Sequence, residues 1–154
     1  MKIAIFPGSF DPFTVGHESI VRRALPMVDK LIVAIGVNSM KNPLIKVDKR
    51  LQMINDIFAD EEKVEVSSYS GLTMDFAKEV GAQTIVRGVR NAQDFEYESA
   101  IARINMKLSG VDSIFMLTLE EHSSISSSIV RELLNYGVDV TQFIPANVDI
   151  KNYL

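Results

Sequence analysis

Lys2-Ile3-Ala4-Ile5-Phe6, then Pro7-Gly8-Ser9-Phe10-Asp11-Pro12-Phe13, then Thr14-Val15-Gly16-His17 is the stretch on which the fold turns. A short apolar run meets a Pro-Gly break at once, and a helical pattern opens beyond a loop of polar and aromatic residues. Short, Ile-rich and unbroken, the run reads as a strand covered on both faces. Gly8 permits a sharp turn, Pro7 and Pro12 stiffen the loop, and Thr14 stands where a helix N-cap is wanted.

The same alternation continues along the chain. Lys30–Gly36, Lys63–Ser67, Thr84–Val86 and Ser113–Thr118 read as further strands, and most of them are nearly continuous in apolar residues. Helical patterns lie between and after them: Val15–Val28, Asp48–Ala59, Thr73–Val80, Asp94–Leu108 and Ser127–Tyr136. Asp48 and Asp94 are placed to cap their helices, each ahead of apolar residues spaced three and four apart. Phe95, Tyr97, Ile101, Ile104 and Leu108 form the stripe of the fourth helix. Gly81 and Gly137 fall where a left-handed residue ends a helix, and Pro26 should end or kink the first one. Pro145 marks a helix start in the C-terminal segment. The order βαβαβαβαβα predicts a doubly wound α/β fold, an open parallel sheet with helices on both faces. Ligands of such sheets bind beyond the carboxyl ends of the strands, where strand order reverses.

Composition narrows the function classes. The 154 residues suffice for one domain with its own core, so no disulfide or structural metal is required. The absence of cysteine excludes disulfide scaffolds, thiolate metal sites and cysteine catalysis. His17-Glu18 lacks the second histidine of a zinc-protease helix. A net charge of −4 without a run of lysine or arginine argues against a nucleic-acid binder. No apolar stretch approaches a membrane span, and the first residues are too short for a signal peptide. A cytoplasmic protein is the expectation.

The residues just after the strands carry the chemistry. His17 would lie in the first turn of a helix, where the dipole favours an anion, unless it packs or hydrogen-bonds locally. Lys41 follows the second strand in a polar loop. Arg87 and Arg90 flank Gly88 after the fourth strand and either hold an anion or pair with Asp94, Glu96 or Glu98. After the fifth strand, His122-Ser123-Ser124-Ile125-Ser126-Ser127-Ser128 runs directly into a helical apolar face. Hydroxyls and free N–H groups at a helix start make a phosphate cradle rather than a linker. Four strand ends thus offer anion donors to one crevice, and together they point to a polyphosphate.

Thr14-Val15-Gly16-His17, with Gly8 to Pro12, resembles the (H/T)xGH signature of the nucleotidyltransferase superfamily. Arg87-Gly88-Val89-Arg90, Asp94-Phe95-Glu96-Tyr97-Glu98 and Ile125-Ser126-Ser127-Ser128 make the chain similar, over essentially its whole length, to the bacterial phosphopantetheine adenylyltransferase family. The resemblance implies a single nucleotidyltransferase domain over residues 1–154, Rossmann-like, with strand order 3-2-1-4-5. It implies transfer of AMP from ATP to 4′-phosphopantetheine, giving dephospho-coenzyme A and pyrophosphate, in a homohexamer open to feedback by coenzyme A. His17 and Lys41 would then be catalytic. Ser9, Lys41, Thr73 and Arg87 would bind phosphopantetheine. Ser9, Phe10, His17, Gly88, Val89, Arg90, Glu98 and His122 to Ser128 (with Ser123, Ser124, Ile125, Ser126 and Ser127 between) would bind ATP. Ser9 stands where threonine is frequent in the family, and His122 where some relatives carry tryptophan.

This inventory suits the implied reaction. A phosphate monoester is largely dianionic at neutral pH, with a second pKa of about 6, so it needs no general base. What it needs is in-line placement and donors for the charge that builds on the α-phosphoryl oxygens. Magnesium would arrive with ATP, there being no carboxylate cage of the protein's own. Two rivals remain open from the residues: another cytidylyl- or adenylyltransferase of the superfamily, and a module that senses nucleotide without turnover.

Overall fold

The computed structural model describes residues 1–39 and 41–154. The apolar runs form strands β1 (Ile3–Gly8), β2 (Lys30–Gly36), β3 (Val64–Tyr69), β4 (Thr84–Val89) and β5 (Asp112–Leu117). Helices α1 (Val15–Ala24), α2 (Val47–Ile57), α3 (Thr73–Glu79), α4 (Ala92–Ser109) and α5 (Ser127–Asn135) alternate with them. The strand pairs are parallel and the order is β3-β2-β1-β4-β5, as expected.

Successive side chains of a strand point to opposite faces, and the core divides accordingly. Ala4, Phe6, Leu31, Val33 and Ile35 pack with Val21 of α1, Met53 and Ile54 of α2 and Val130 of α5. Ile5, Ile32, Ala34 and Ile85 face the other way, onto Phe76 and Ala77 of α3. β1 and β2 are buried on both sides, which is why their sequences are unbroken apolar runs.

The ladder between β1 and β4 differs from the rest. It has two residue pairs, Ala4–Thr84 and Ile5–Ile85, whereas β1–β2 and β4–β5 have six each. Beyond Ile5 the two central strands part, at the point where strand order reverses. The crevice there is where a ligand of this fold belongs.

Pro26 ends α1 as expected, the chain tightening into a 3₁₀ turn over Leu25–Met27. Three local expectations are corrected. Asn91, not Asp94, caps α4, its side chain accepting from the Asp94 amide at 2.9 Å. Asn and Asp are nearly equal as caps, and both stood within reach. Lys46 precedes α2 without a side-chain cap bond, and Asp48 lies in the first turn, where a carboxylate suits the dipole. Pro145 starts no helix; single 3₁₀ turns, Thr141–Phe143 and Ile150–Asn152, lie on either side of it. That segment is tied to α2 by Asn147, which donates to the Ile57 carbonyl, and by Tyr153, which donates to Asp56.

The α4 stripe faces outward. Phe95, Tyr97, Ile101, Ile104 and Leu108 are all exposed, although Phe95 meets Phe115 of β5 edge-on at 5.4 Å. Ile114 and Leu117 on the β5 edge are uncovered too. Periodicity reveals an apolar face without saying whose surface covers it. Among the described residues no helix is long and apolar enough to cross a membrane.

Phe13, in the loop between β1 and α1, is fully buried and lies 5.2 Å from the Phe10 ring and 5.7 Å from Phe58. The site-bearing loop is therefore part of the core. Phe13→Ala should lower the unfolding free energy by about 3–5 kcal/mol in urea denaturation. A loss below about 1 kcal/mol, the range of surface substitutions, would show that the loop is not anchored this way.

Candidate active site

Phe10 adopts φ 50°, a left-handed conformation that a bulky residue rarely takes. Packing holds it there. Its ring lies 5.3 Å from Phe6 and 5.0 Å, edge-on, from the His17 imidazole. The ring has room because residue 8 is glycine: a Cβ at Gly8 would sit 2.9 Å from Phe10 Cζ.

Thr14 and His17 close the start of α1 reciprocally. Thr14 Oγ1 accepts from the His17 amide, and His17 Nδ1 accepts from the Thr14 amide at 3.0 Å. Histidine thus takes the place that Glu or Gln fills in most such boxes. With the Nδ1 lone pair committed, the neutral ring carries its proton on Nε2. Burial first, and the nearby Arg87 charge second, lower the imidazole from 6.5 to about 4. The local alternative for His17 is therefore real, yet the ring also lines the crevice as a neutral donor.

The crevice between β1 and β4 encloses about 320 Å³ and brings together Ser9, Phe10, His17, Arg87, Gly88, Arg90, His122, Ile125, Ser126 and Ser127. A larger cavity of about 680 Å³ lies on the far side of Ser9, lined by Asn38, Lys41, Lys46, Arg50 and Arg131 among others. Ser9 lines both. Among the described residues, Lys41 and Arg87 line different cavities. Thr73 and Glu98 meet Arg87 in a third, smaller pocket of about 200 Å³, where Thr73 Oγ1 lies 2.8 Å from the Tyr69 hydroxyl.

Both crevice arginines are paired with acids of α4. Arg87 donates from Nε and Nη2 to the Glu98 carboxylate at 2.9 and 2.7 Å, and from Nη1 to the Pro7 carbonyl at 3.0 Å. Arg90 donates from Nε, and from its backbone amide, to Asp94, and this holds the Asp94 carboxyl below its usual value. The hydroxyls of the serine cluster hold the loop. Ser126 caps α5 by accepting from the Ile129 amide, and Ser127 donates to the Pro12 carbonyl at 2.8 Å. Ser128 accepts from Arg131, and Ser123 donates to the Glu120 carbonyl. Val89 is buried and off the crevice wall, its carbonyl accepting from the Thr118 amide. Ser123, Ser124 and Ser128 are exposed and off the crevice wall. His122 ends a 3₁₀ turn, its Nδ1 buried without a hydrogen bond among the described residues.

Asp11, Arg50, Thr118 and Arg131 were not singled out from the sequence. Arg50 left a signal: it shares the helix face of Met53, Ile54 and Ile57, where a charge is out of place. Arg131 lies one turn beyond Ser128, donating to the Asp11 carbonyl at 2.8 Å. No group of three His, Asp or Glu side chains suited to a metal gathers among the described residues.

The depressed His17 pKa gives stability a pH dependence. An unfolded histidine binds its proton near 6.5 and the folded one near 4. The resulting stabilisation is fully present above 6.5 and is lost as pH falls towards 4. It amounts to on the order of 3 kcal/mol, the unfolded chain binding the extra proton. His17→Gln, which can still close the cap but does not titrate, should lack this component. Urea denaturation of both proteins across that window should show the wild type losing its advantage; a constant difference would refute the assignment.

Residues 5–133 match the cytidylyltransferase-like family. The phosphopantetheine adenylyltransferase of Bacteroides thetaiotaomicron is 51% identical over 150 residues, covering 97% of this chain and 99% of that protein. That of Flavobacterium johnsoniae is 48% identical over 151 residues, covering 98% and 99%. A putative nicotinate-nucleotide adenylyltransferase from Vibrio parahaemolyticus superposes with a TM-score of 0.66 at 20% identity, over 94% of each chain. A bifunctional NMN adenylyltransferase/ADP ribose pyrophosphatase from Francisella tularensis gives 0.71 at 20% identity, over 97% of this chain and 46% of that one. These two structures speak for the fold alone, whereas the sequence relatives match end to end. The chain belongs to the cytidylyltransferase-like family of nucleotidyltransferases, and within it to the phosphopantetheine adenylyltransferases.

Proposed function

We propose that the protein transfers AMP from ATP to 4′-phosphopantetheine, forming dephospho-coenzyme A and pyrophosphate by direct in-line attack. A phosphate oxygen of phosphopantetheine bonds to the α-phosphorus as the bond to the β-phosphate oxygen breaks, and pyrophosphate leaves. No covalent enzyme intermediate forms. The observation that carries this reading is the neutral His17 ring, its Nδ1 taken by the Thr14 amide, in a crevice that also holds Arg87 and Arg90. A donor fixed before the reaction is what charge building on the α-phosphoryl oxygens requires.

In this reading His17 contacts the α-phosphate, and Ser9 and Phe10 lie where the substrates meet. That Ser9 lines both the crevice and the cavity of about 680 Å³ supports such a meeting point. Gly88, Val89, Arg90, Glu98 and residues 122–128 serve ATP, Val89 through its backbone. Lys41, Thr73 and Arg87 serve phosphopantetheine, and Lys41 also steadies the reacting phosphates. Arg87 would exchange the Glu98 carboxylate, wholly or in part, for a phosphate, one anion for another. Magnesium would come with ATP, on the phosphate oxygens. The reading extends to a cytoplasmic homohexamer with feedback by coenzyme A, and the exposed apolar stripe of α4 supports self-association.

The wild type should release pyrophosphate from ATP only when phosphopantetheine is present. His17→Ala should lower kcat by about 10²–10³ with a much smaller change in ATP affinity, since loss of one such donor is felt mainly in the transition state. Unchanged kcat with weaker ATP binding would reduce His17 to a binding residue.

Arg87→Ala should raise KM for phosphopantetheine more than for ATP, and Arg90→Ala should do the reverse. Arg87→Lys should recover only part of the lost binding, a point charge replacing a bidentate fork. Steady-state kinetics with each substrate varied in turn would reveal the pattern; equal effects on both substrates would undo the division of labour.

A further inference from the structure

Arg50 and Asp11 are two buried charges that the proposed reaction does not use. Each is 6% exposed. A buried charge is tolerated only when its hydrogen-bonding capacity is filled, so its partners reveal its task. Asp11 Oδ2 accepts from the Leu44 amide and Oδ1 from the Ile45 amide, both at 2.8 Å. Arg50 Nε donates to the Ile45 carbonyl at 2.8 Å, and Nη1 to the Ser9 carbonyl at 2.7 Å.

The pattern is specific. Ile45 is held at both ends, its N–H by the carboxylate and its carbonyl by the guanidinium, while its side chain is 1% exposed. None of these four bonds reaches a strand. The Asp11 bonds join the loop after β1, which carries Ser9 and Phe10, to the segment just before α2, and Arg50, from within α2, ties both that segment and the Ser9 carbonyl to the helix. Upstream, the same segment is anchored where the Val37 amide donates to the Tyr69 carbonyl at 2.8 Å. Lys41 lies between the two anchors, on the wall of the larger cavity. The Asp11 charge also counters the cost of burying the Arg50 guanidinium.

We infer that Asp11 and Arg50 are positioning residues, a buried clamp on Leu44 and Ile45 that sets where Lys41 stands relative to Ser9. The inference rests on the adenylyl-transfer reading for the identity of the substrate that Lys41 meets. Loosening the downstream anchor leaves the strands intact and lets the lysine wander. A misplaced point charge weakens the substrate it serves and spares the other. The clamp's influence therefore runs through Lys41, which makes it separable from a general loss of stability.

Asp11→Asn keeps one acceptor but turns an NH₂ towards a backbone N–H, and Arg50→Lys can reach one carbonyl but not both. Asp11→Asn should raise KM for phosphopantetheine about tenfold and that for ATP by less than about twofold, the scale set by small displacements of a positioned group. Arg50→Lys, which also loosens the Ser9 carbonyl, should raise KM for phosphopantetheine more than that for ATP. In a Lys41→Ala background, adding Asp11→Asn should produce no further rise. Additive effects in the double variant, equal rises for both substrates, or no change in a folded variant would each overturn the inference. Circular dichroism checks the fold of each. Should a variant not fold, amide exchange in the wild type carries the test. The Leu44 and Ile45 amides should exchange far more slowly than loop amides, and exchange at loop rates overturns the clamp. That measurement needs no turnover. Its failure is distinct from failure of the adenylyl-transfer reading, in which the wild type makes no pyrophosphate.

Discussion

Past Ile5 and Ile85 the two central strands no longer share a ladder. The backbone groups at their carboxyl ends must find partners elsewhere. Pro7 has no N–H to offer, and its carbonyl takes a hydrogen bond from Arg87 across the gap. One cation is thereby fixed at the point where the fold opens. Gly88 packs close to Ile20 of α1, where a Cβ would come within 3.3 Å of Ile20 Cγ1. β4 thus approaches the helix whose first turn holds His17. The parting of β1 and β4 sets the width of the crevice, the place of Arg87 and its distance from the imidazole whose proton affinity it lowers.

An acidic chain here builds a cationic crevice, and the balance is local. The guanidiniums that face the crevice are held by carboxylates of α4, so their forks stay oriented without a strong net commitment. Exposed pairs contribute roughly 0–1 kcal/mol. The Arg87–Glu98 pair is more enclosed, with side-chain exposures of 33% and 16%. In the proposed reaction an incoming phosphate would take the place of a carboxylate, a group of its own sign. The same helix carries several of the apolar side chains that this chain leaves uncovered, so one element serves both the crevice and the outer surface.

Much of the sheet was legible because parallel strands buried on both faces cannot avoid looking apolar, and Ile3–Phe6 and Leu31–Ile35 have no other reading. Strand ends were less sharp: β1 runs on to Gly8 and β4 to Val89, so Arg87 and Gly88 lie within the strand rather than after it. His17 in the first turn of α1 and the serine cap of α5 fell where the pattern put them. What could not be read was pairing across distance. The Glu98 partner of Arg87 was one of three acids within reach, and spacing does not choose among them. Arg50 and Asp11 stayed hidden because their partners are backbone groups, which look the same at every residue. The α4 stripe was legible as an apolar face but not its cover: amphipathicity is a property of one helix, whereas burial is a property of two surfaces.

The reciprocal bond between Thr14 and His17 has a consequence for the polarity of the site. An imidazole free in solution places its single proton on either nitrogen and exchanges roles as its surroundings change. Here a backbone amide has made that choice, because a backbone N–H can only give. The ring behaves as a one-way element with its acceptor end sealed in a helix cap and its donor end towards the crevice. No reorientation is left to be done when charge arrives. The direction in which the crevice offers a proton is written into the first turn of α1.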